Sequence, residues 1–230
     1  MATALKDRLP IRRTLAEMTR ETLARNKVLA IAIVGPPGAG KTALVEAAAR
    51  HLRGHARVGA LVLHPAAARD AERASRYCAQ VIPVETATPD AAVAADAIDK
   101  FELDRLDILL IESVGGIAGV PSLGQHATVA VLSVTGGDDK VGEYQKLIAD
   151  SSLLILTKAE LQRHVAFDRG IFRRDLHRVN PSIAMLEVST FENTGVARLA
   201  EWIEQQRAAA FLDPVEHEPE DQEASGLFFG

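Results

Sequence analysis

The octapeptide Gly35-Pro36-Pro37-Gly38-Ala39-Gly40-Lys41-Thr42 restricts the possible folds of this chain more than any other stretch. It follows an apolar run at 28–34 and precedes Ala43-Leu44-Val45 and the alanines of 47–49, which read as a helix. The spacing G-x-x-x-x-G-K-[ST] between a strand and a helix is that of a phosphate-binding loop. Gly35, Gly38 and Gly40 let the backbone turn its N–H groups inward with no Cβ in the way, and the new helix adds the partial positive charge of its N-terminus. Pro36, Pro37 and Ala39 complete the cradle, Lys41 reaches terminal phosphate oxygens, and Thr42 offers a hydroxyl to Mg²⁺.

The rest of the chain repeats the same alternation. Apolar runs recur at 58–63, 81–84, 108–111, 129–134, 153–156 and 184–188. Helical patterns are expected at 11–26, 41–53, 69–79, 90–101, 143–150, 167–178 and 196–207; in the last, Val196, Leu199, Ala200 and Ile203 paint one face. Short, nearly all-apolar strands between helices predict an α/β fold: a mostly parallel sheet of about seven strands with helices on both faces. The expected division is an amphipathic helix within 1–27, a nucleotide-binding domain over 28–210, and an acidic, disordered tail over 211–230.

Charge and composition narrow the partners. With 230 residues and a formal net charge of −5, the chain suits one domain plus tails and carries no broad positive field for nucleic acid. A single cysteine, Cys78, excludes an internal disulfide framework, no apolar run is long enough to span a membrane, and the first residues lack a leader pattern. The expectation is a cytoplasmic protein that binds neither nucleic acid nor membrane. Asp107-Ile108-Leu109-Leu110-Ile111-Glu112 supplies a strand ending in a carboxylate, and Glu112 is the candidate to hold the metal's shell, directly or through water. Ser113-Val114-Gly115-Gly116 then reads as a segment able to move with the γ-phosphate.

Together GPPGAGKT, LLIESVGG, VLSVTGGDDK and VNPSIAMLEVSTFENTG resemble, over about 11–207, the nickel-insertion GTPases of hydrogenase and urease maturation, the HypB/UreG group. The resemblance implies a P-loop NTPase of the SIMIBI class, GTP with Mg²⁺ as ligands (ATP remaining open), and a nucleotide-dependent homodimer. It also implies a role in loading a client metalloenzyme alongside other assembly factors. Asp138 and Lys140 fall on its GDDK segment. Thr157-Lys158-Ala159-Glu160 falls where the family reads guanine with Asn/Thr-Lys-x-Asp, and Ser189 and Thr190 fall beside the base's carbonyl edge. Here Glu160 replaces Asp, and its extra methylene displaces a carboxylate that must accept two hydrogen bonds.

Other departures concern metal. Where urease-type members carry Cys-Pro-His, this chain reads Val84-Glu85-Thr86-Ala87-Thr88-Pro89-Asp90, and 116–121 lacks the thiol of hydrogenase-type members. Thr88 and Asp90 offer only hard oxygen, so no nickel or zinc ligands are expected. The family's acidic residue after the second strand is replaced by His64, leaving Asp70 to substitute and hydrolysis expected to be slow. His51, His55 and Cys78 read as ordinary surface or core residues, and no ligand role follows for His126. The leading reading is a GTPase that assists metal-centre assembly with Lys41, Thr42, Glu112 and Asp70 as catalytic groups. A regulatory adaptor with little turnover is the alternative, and a small-molecule kinase is disfavoured because no arginine-rich lid region is present.

Overall fold

The computed structural model describes residues 8–64 and 66–211. The strands are β1 Leu29–Gly35, β2 Val58–Leu63, β3 Gln80–Val84, β4 Ile108–Val114, β5 Ala127–Ser133, β6 Leu153–Thr157 and β7 Ala184–Val188. They form a seven-stranded sheet in the order β3-β2-β4-β1-β5-β6-β7, with every pairing parallel. The helices are α1 Arg8–Arg25, α2 Lys41–Leu52, α3 Ala67–Ala74, α4 Ala91–Ile98, α5 Lys140–Glu143, α6 Gln145–Ala149, α7 Arg169–Val179 and α8 Val196–Phe211.

Both faces of the sheet are covered, which is why the strands read as apolar throughout. Leu29, Ile31 and Ile33 of β1 face a core shared with Leu44, Ala48 and Leu52 of α2 and Leu199 and Ile203 of α8. On the opposite face Ala30 meets the side of α1 and α4, through Leu23, Ala94 and Ile98, while Ala32 and Val34 meet Leu147, Ile148 and Phe172 from α6 and α7. Each large side chain so buried contributes about 1.5–3 kcal/mol. The N-terminal helix expected within 1–27 therefore packs on its own domain, with Ala16 and Leu23 buried and Met18 exposed.

Several boundaries differ from expectation for physical reasons. The helix expected at 143–150 is two short helices broken at Tyr144, whose backbone leaves helical geometry (φ −107°, ψ 29°) while its ring is buried. Helix α3 ends at Ala74, and β4 continues past Glu112 to Val114, so that carboxylate lies inside the strand, opposite Ile33 on β1 and Val62 on β2. The tail expected over 211–230 lies outside the described residues apart from Phe211.

A parallel sheet delivers the C-terminal ends of all its strands to one edge, and in open sheets ligands bind there. Here that edge gathers the loop after β1, His64 after β2, Glu112 on β4, Thr135 after β5, Lys158 after β6 and Ser189 after β7.

Candidate functional site

The loop after β1 has the conformation its glycines suggest. Gly35 ends β1 so close to β5 that a Cβ would stand 2.1 Å from the Val131 carbonyl oxygen. Gly40 caps α2 in the left-handed region (φ 86°), and no side chain caps the helix. The first amides of α2 are thus left for a ligand, which is the anion-binding property of a helix N-terminus. Lys41 is buried, and its Nζ donates to the carbonyls of Gly35 at 3.1 Å and Pro36 at 2.9 Å. Those oxygens stand where phosphate oxygens would serve the same ammonium. Burial lowers the Lys41 pKa, and the Glu112 and Asp70 carboxylates oppose that shift.

The neighbouring groups are close-set. Thr42 Oγ1 donates to Glu112 Oε1 at 2.7 Å. Among the described residues Glu112 Oε2 is buried without a hydrogen-bond partner, and burial pushes the Glu112 pKa from 4.5 to about 7, against the Thr42 hydrogen bond and Lys41. Asp70 lies in the first turn of α3, held by Arg73 Nη1 at 3.5 Å, and Arg73 is itself anchored to Glu46 at 2.8 Å. With Pro37, Gly38 and Gly40 these side chains line a cleft of about 370 Å³. A larger hollow of about 750 Å³ lies between α5, α6 and α7, lined by Asp139, Lys146, Asp175 and Arg178. It shares no residue with the phosphate loop, and the chemistry of the smaller cleft outweighs the size of the larger.

The sequence reads His64 only as a lost carboxylate. The structure instead turns its Nε2 into the cleft, 3.1 Å from Asp70 Oδ2 and 3.8 Å from Glu112 Oε1. The three side chains each place a ligand atom within 4.8 Å of the others. The expectation of no nickel or zinc ligands rested on the missing thiol motifs of 84–90 and 116–121; apart from those segments, the structure sets an imidazole beside two carboxylates. The available signal was positional, since His64 immediately follows an apolar strand whose end lies on the ligand-binding edge. Asp90, in the segment where the thiol motif is missing, caps α4 by accepting from the amides of Ala92 and Val93.

The residues expected around the base divide into groups. Thr157 is buried beneath the loop, its Oγ1 2.6 Å from the Ala39 carbonyl and 3.1 Å from that of Leu132, so it tethers β6 to the phosphate cradle. Lys158 adopts a left-handed conformation (φ 57°) and reaches Thr135 Oγ1 at 3.5 Å. Among the described residues Glu160 Oε2 is buried without a partner, beside a hollow lined by Arg163, Phe167 and Arg169. Ser189 is fully buried: its Oγ accepts from the Glu192 amide and its N–H bonds Thr194, so its polar groups shape the turn after β7. Thr190 faces a different hollow, with Ala43, Ala47 and Arg50 of α2. Glu160 and Thr190 thus line separate hollows.

The remaining singled-out residues are structural. Asp138 accepts from the Asp168 amide, and Lys140 pairs with Glu143. His126 Nδ1 accepts the Ala30 amide at 3.0 Å, and burial lowers its pKa. Cys78 is a buried thiol pushed up to about 12 by burial, with Glu46 adding to the shift.

A parallel sheet with this loop after its central strand, a lysine and a hydroxyl opening the next helix, and a carboxylate on the neighbouring strand define a P-loop NTPase. The CobW/HypB/UreG nucleotide-binding domain matches residues 29–187, and the chain belongs to that family. It is 30% identical to the probable hydrogenase maturation factor HypB of Methanocaldococcus jannaschii, over 86% of this chain and 92% of that protein. It is 34% identical to hydrogenase maturation factor HypB of Escherichia coli K12, over 85% and 69% respectively. The crystal structure of HypB from Archaeoglobus fulgidus superposes with a TM-score of 0.77 at 29% identity, covering 88% of this chain and all of that one.

Proposed function

We propose that this chain is a cytoplasmic, GTP-dependent accessory protein in the assembly of a metalloenzyme's metal centre, hydrolysing its nucleotide slowly. The observation that carries the reading is the uncapped N-terminus of α2 behind the loop 35–42, with Thr42 bonded to Glu112 at 2.7 Å on the ligand-binding edge of the sheet. The backbone amides hold the β- and γ-phosphates, and Lys41 exchanges the carbonyls of Gly35 and Pro36 for phosphate oxygens. Thr42 and Glu112 are oxygen donors and fit a hard divalent ion, Mg²⁺ by class, which would neutralise charge on the terminal phosphates. Asp70 completes the carboxylates of the cleft, while Lys158 and Glu160 read the base, Glu160 with an acceptor that has no partner of its own.

The relatives named as hydrogenase maturation factors support the assignment to metalloenzyme assembly, with a client enzyme and its other assembly factors as partners. A nucleotide-dependent homodimer is part of this reading. The exposed Ile117 and Phe191 follow β4 and β7 at the nucleotide edge, where a second copy is available to cover them. One observation favours the adaptor alternative: His64 stands in the cleft where a carboxylate is expected, and a cleft poorly suited to Mg²⁺ binds nucleotide with little turnover.

Competition of GTP against ATP for the purified protein, together with single-turnover phosphate release compared with Lys41→Ala, tests the reading. GTP preferred and release faster than in the variant support a GTPase. Release equal to that of the variant supports the adaptor, and the absence of nucleotide binding overturns both.

A further inference from the structure

We propose that His64, Asp70 and Glu112 form a binding site for a borderline divalent transition ion, of the Co²⁺, Ni²⁺ or Zn²⁺ class, inside the nucleotide cleft. This departs from the reading above on one point: with His64 among the donors, the ion that Glu112 and Asp70 favour is a borderline one that competes with Mg²⁺ for the cleft. It rests on that reading only for the ion's use with nucleotide, because the donor set exists without one.

Three independent features point to an ion. The first is donor chemistry: an imidazole nitrogen beside two carboxylates suits zinc, cobalt or nickel, whereas Mg²⁺ selects oxygen and leaves a histidine in its shell without purpose. The second is spacing. Metal–nitrogen and metal–oxygen bonds of roughly 2.0–2.2 Å put adjacent donors about 2.8–3.6 Å apart in octahedral or tetrahedral shells. His64 Nε2 already lies 3.1 Å from Asp70 Oδ2 and 3.8 Å from Glu112 Oε1, and the three ligand atoms lie within 4.8 Å of one another, so that a bound ion would draw them inward.

The third is the want of any other partner. The His64 side chain is 6% exposed and that of Glu112 4%. Among the described residues Glu112 Oε2 has no hydrogen-bond donor, and His64 Nε2, although 3.1 Å from Asp70 Oδ2, does not meet it at hydrogen-bonding geometry. Polar atoms buried at such depth are paired in folded proteins, and an orphan calls for an explanation such as an ion. Arg73, bonded to Glu46 and Asp70, is the positioning residue that aims one carboxylate into the cleft.

His64 Nδ1 accepts the Ala66 amide at 3.2 Å, which puts the imidazole proton on Nε2. Coordination through Nε2 moves that proton to Nδ1, where it meets the Ala66 N–H. Capturing the ion therefore breaks this bond and so couples the ion to the backbone at Ala66.

The experiment titrates the full-length, metal-stripped protein with Co²⁺ alone and follows its visible d–d absorption, then repeats the titration with His64→Ala, Asp70→Asn and His64→Asp. The wild type is expected to take up one equivalent, with a spectrum shifted from that of aqueous Co²⁺. His64→Ala and Asp70→Asn should weaken uptake by more than about tenfold. His64→Asp, which makes the donor set all oxygen, should lose the nitrogen-ligand spectrum and gain Mg²⁺ affinity. Circular dichroism checks that each variant folds, and Asp70→Asn carries the test if His64→Ala does not. A wild-type spectrum identical to aqueous Co²⁺, or folded His64 and Asp70 variants that titrate like the wild type, overturns the proposal. Nucleotide binding in chelator is measured separately, so loss of the nucleotide reading and loss of the ion site are distinguishable results.

Discussion

Thr157→Val separates two roles that the sequence alone runs together. Position 157 falls in the segment that by resemblance reads guanine, yet the buried Thr157 hydroxyl lies 2.6 Å from the Ala39 carbonyl in the phosphate loop. Valine keeps the volume and the β-branched shape that suit the end of β6, and removes only the hydroxyl donor. Leaving a buried carbonyl without that donor costs about 1–3 kcal/mol. If the whole loss falls on the loop's binding-competent conformation, nucleotide affinity drops by about 5- to 150-fold. The tether holds the phosphate loop at Ala39, which both nucleotides would share, so GTP and ATP should weaken by the same factor. Urea unfolding gives the stability change, and calorimetry with each nucleotide gives the affinities, with Thr157→Ser as the control that restores the donor. A variant that loses GTP binding while keeping ATP binding would refute the tether and return Thr157 to base recognition. So would unchanged stability with unchanged affinity.

Glu112→Gln should flatten the pH dependence of the metal-free protein. Because its native pKa is raised from 4.5 to about 7, the native state keeps a proton that the unfolded state loses in that window. Stability therefore falls as pH rises from 4.5 to 7, by up to about 3 kcal/mol. Urea unfolding in chelator should find the variant gaining on the wild type more at pH 8 than at pH 5, and a difference independent of pH counts against it. Cys78, a buried thiol pushed up to about 12, should resist aromatic disulfide reagents at pH 8 in the native protein and react on denaturation; rapid native labelling contradicts that burial. Glu160→Asp should raise the preference for GTP over ATP by about tenfold, the worth of one well-aligned charge-assisted hydrogen bond, in a competition assay. A reduced preference would show that the longer side chain is the better fit.

The sheet was legible because parallel strands covered on both faces must be apolar at every position, and the run 28–34 announces such a strand without ambiguity. The cradle was legible for a related reason: backbone geometry at Gly35 and Gly40 admits little besides glycine, so the constraint is written in the residue types. The break at Tyr144 was not, because a buried aromatic interrupting a short helix leaves no mark on the apolar spacing. Nor was the fate of Ser189, since a serine satisfying its own turn and a serine facing a ligand have identical local sequence. His64 lay between these cases. Its position after β2 placed it on the correct edge, but its relation to Asp70 depends on how α3 begins, and Arg73 sets that through a contact with Glu46 on α2.

The cleft's polar groups share an electrostatic condition that explains why they are held so firmly. Lys41 is buried with a lowered pKa, Glu112 is buried with a raised one, and His64 is lowered by burial in the same space. Burial thus disfavours the charged form of all three, and no pair among them fully relieves it: Lys41 turns to two carbonyls, Glu112 to one hydroxyl, and His64 Nδ1 to one amide. On the proposed reading, a triphosphate would supply the negative charge that Lys41 lacks, and a divalent ion the positive charge that Glu112 and Asp70 lack. The two ligands would therefore favour one another, since each changes the local field in the direction that the other requires. The surrounding core accommodates this frustrated arrangement because β1 and β4 are anchored by apolar contacts on both faces, which the ligands do not need to supply.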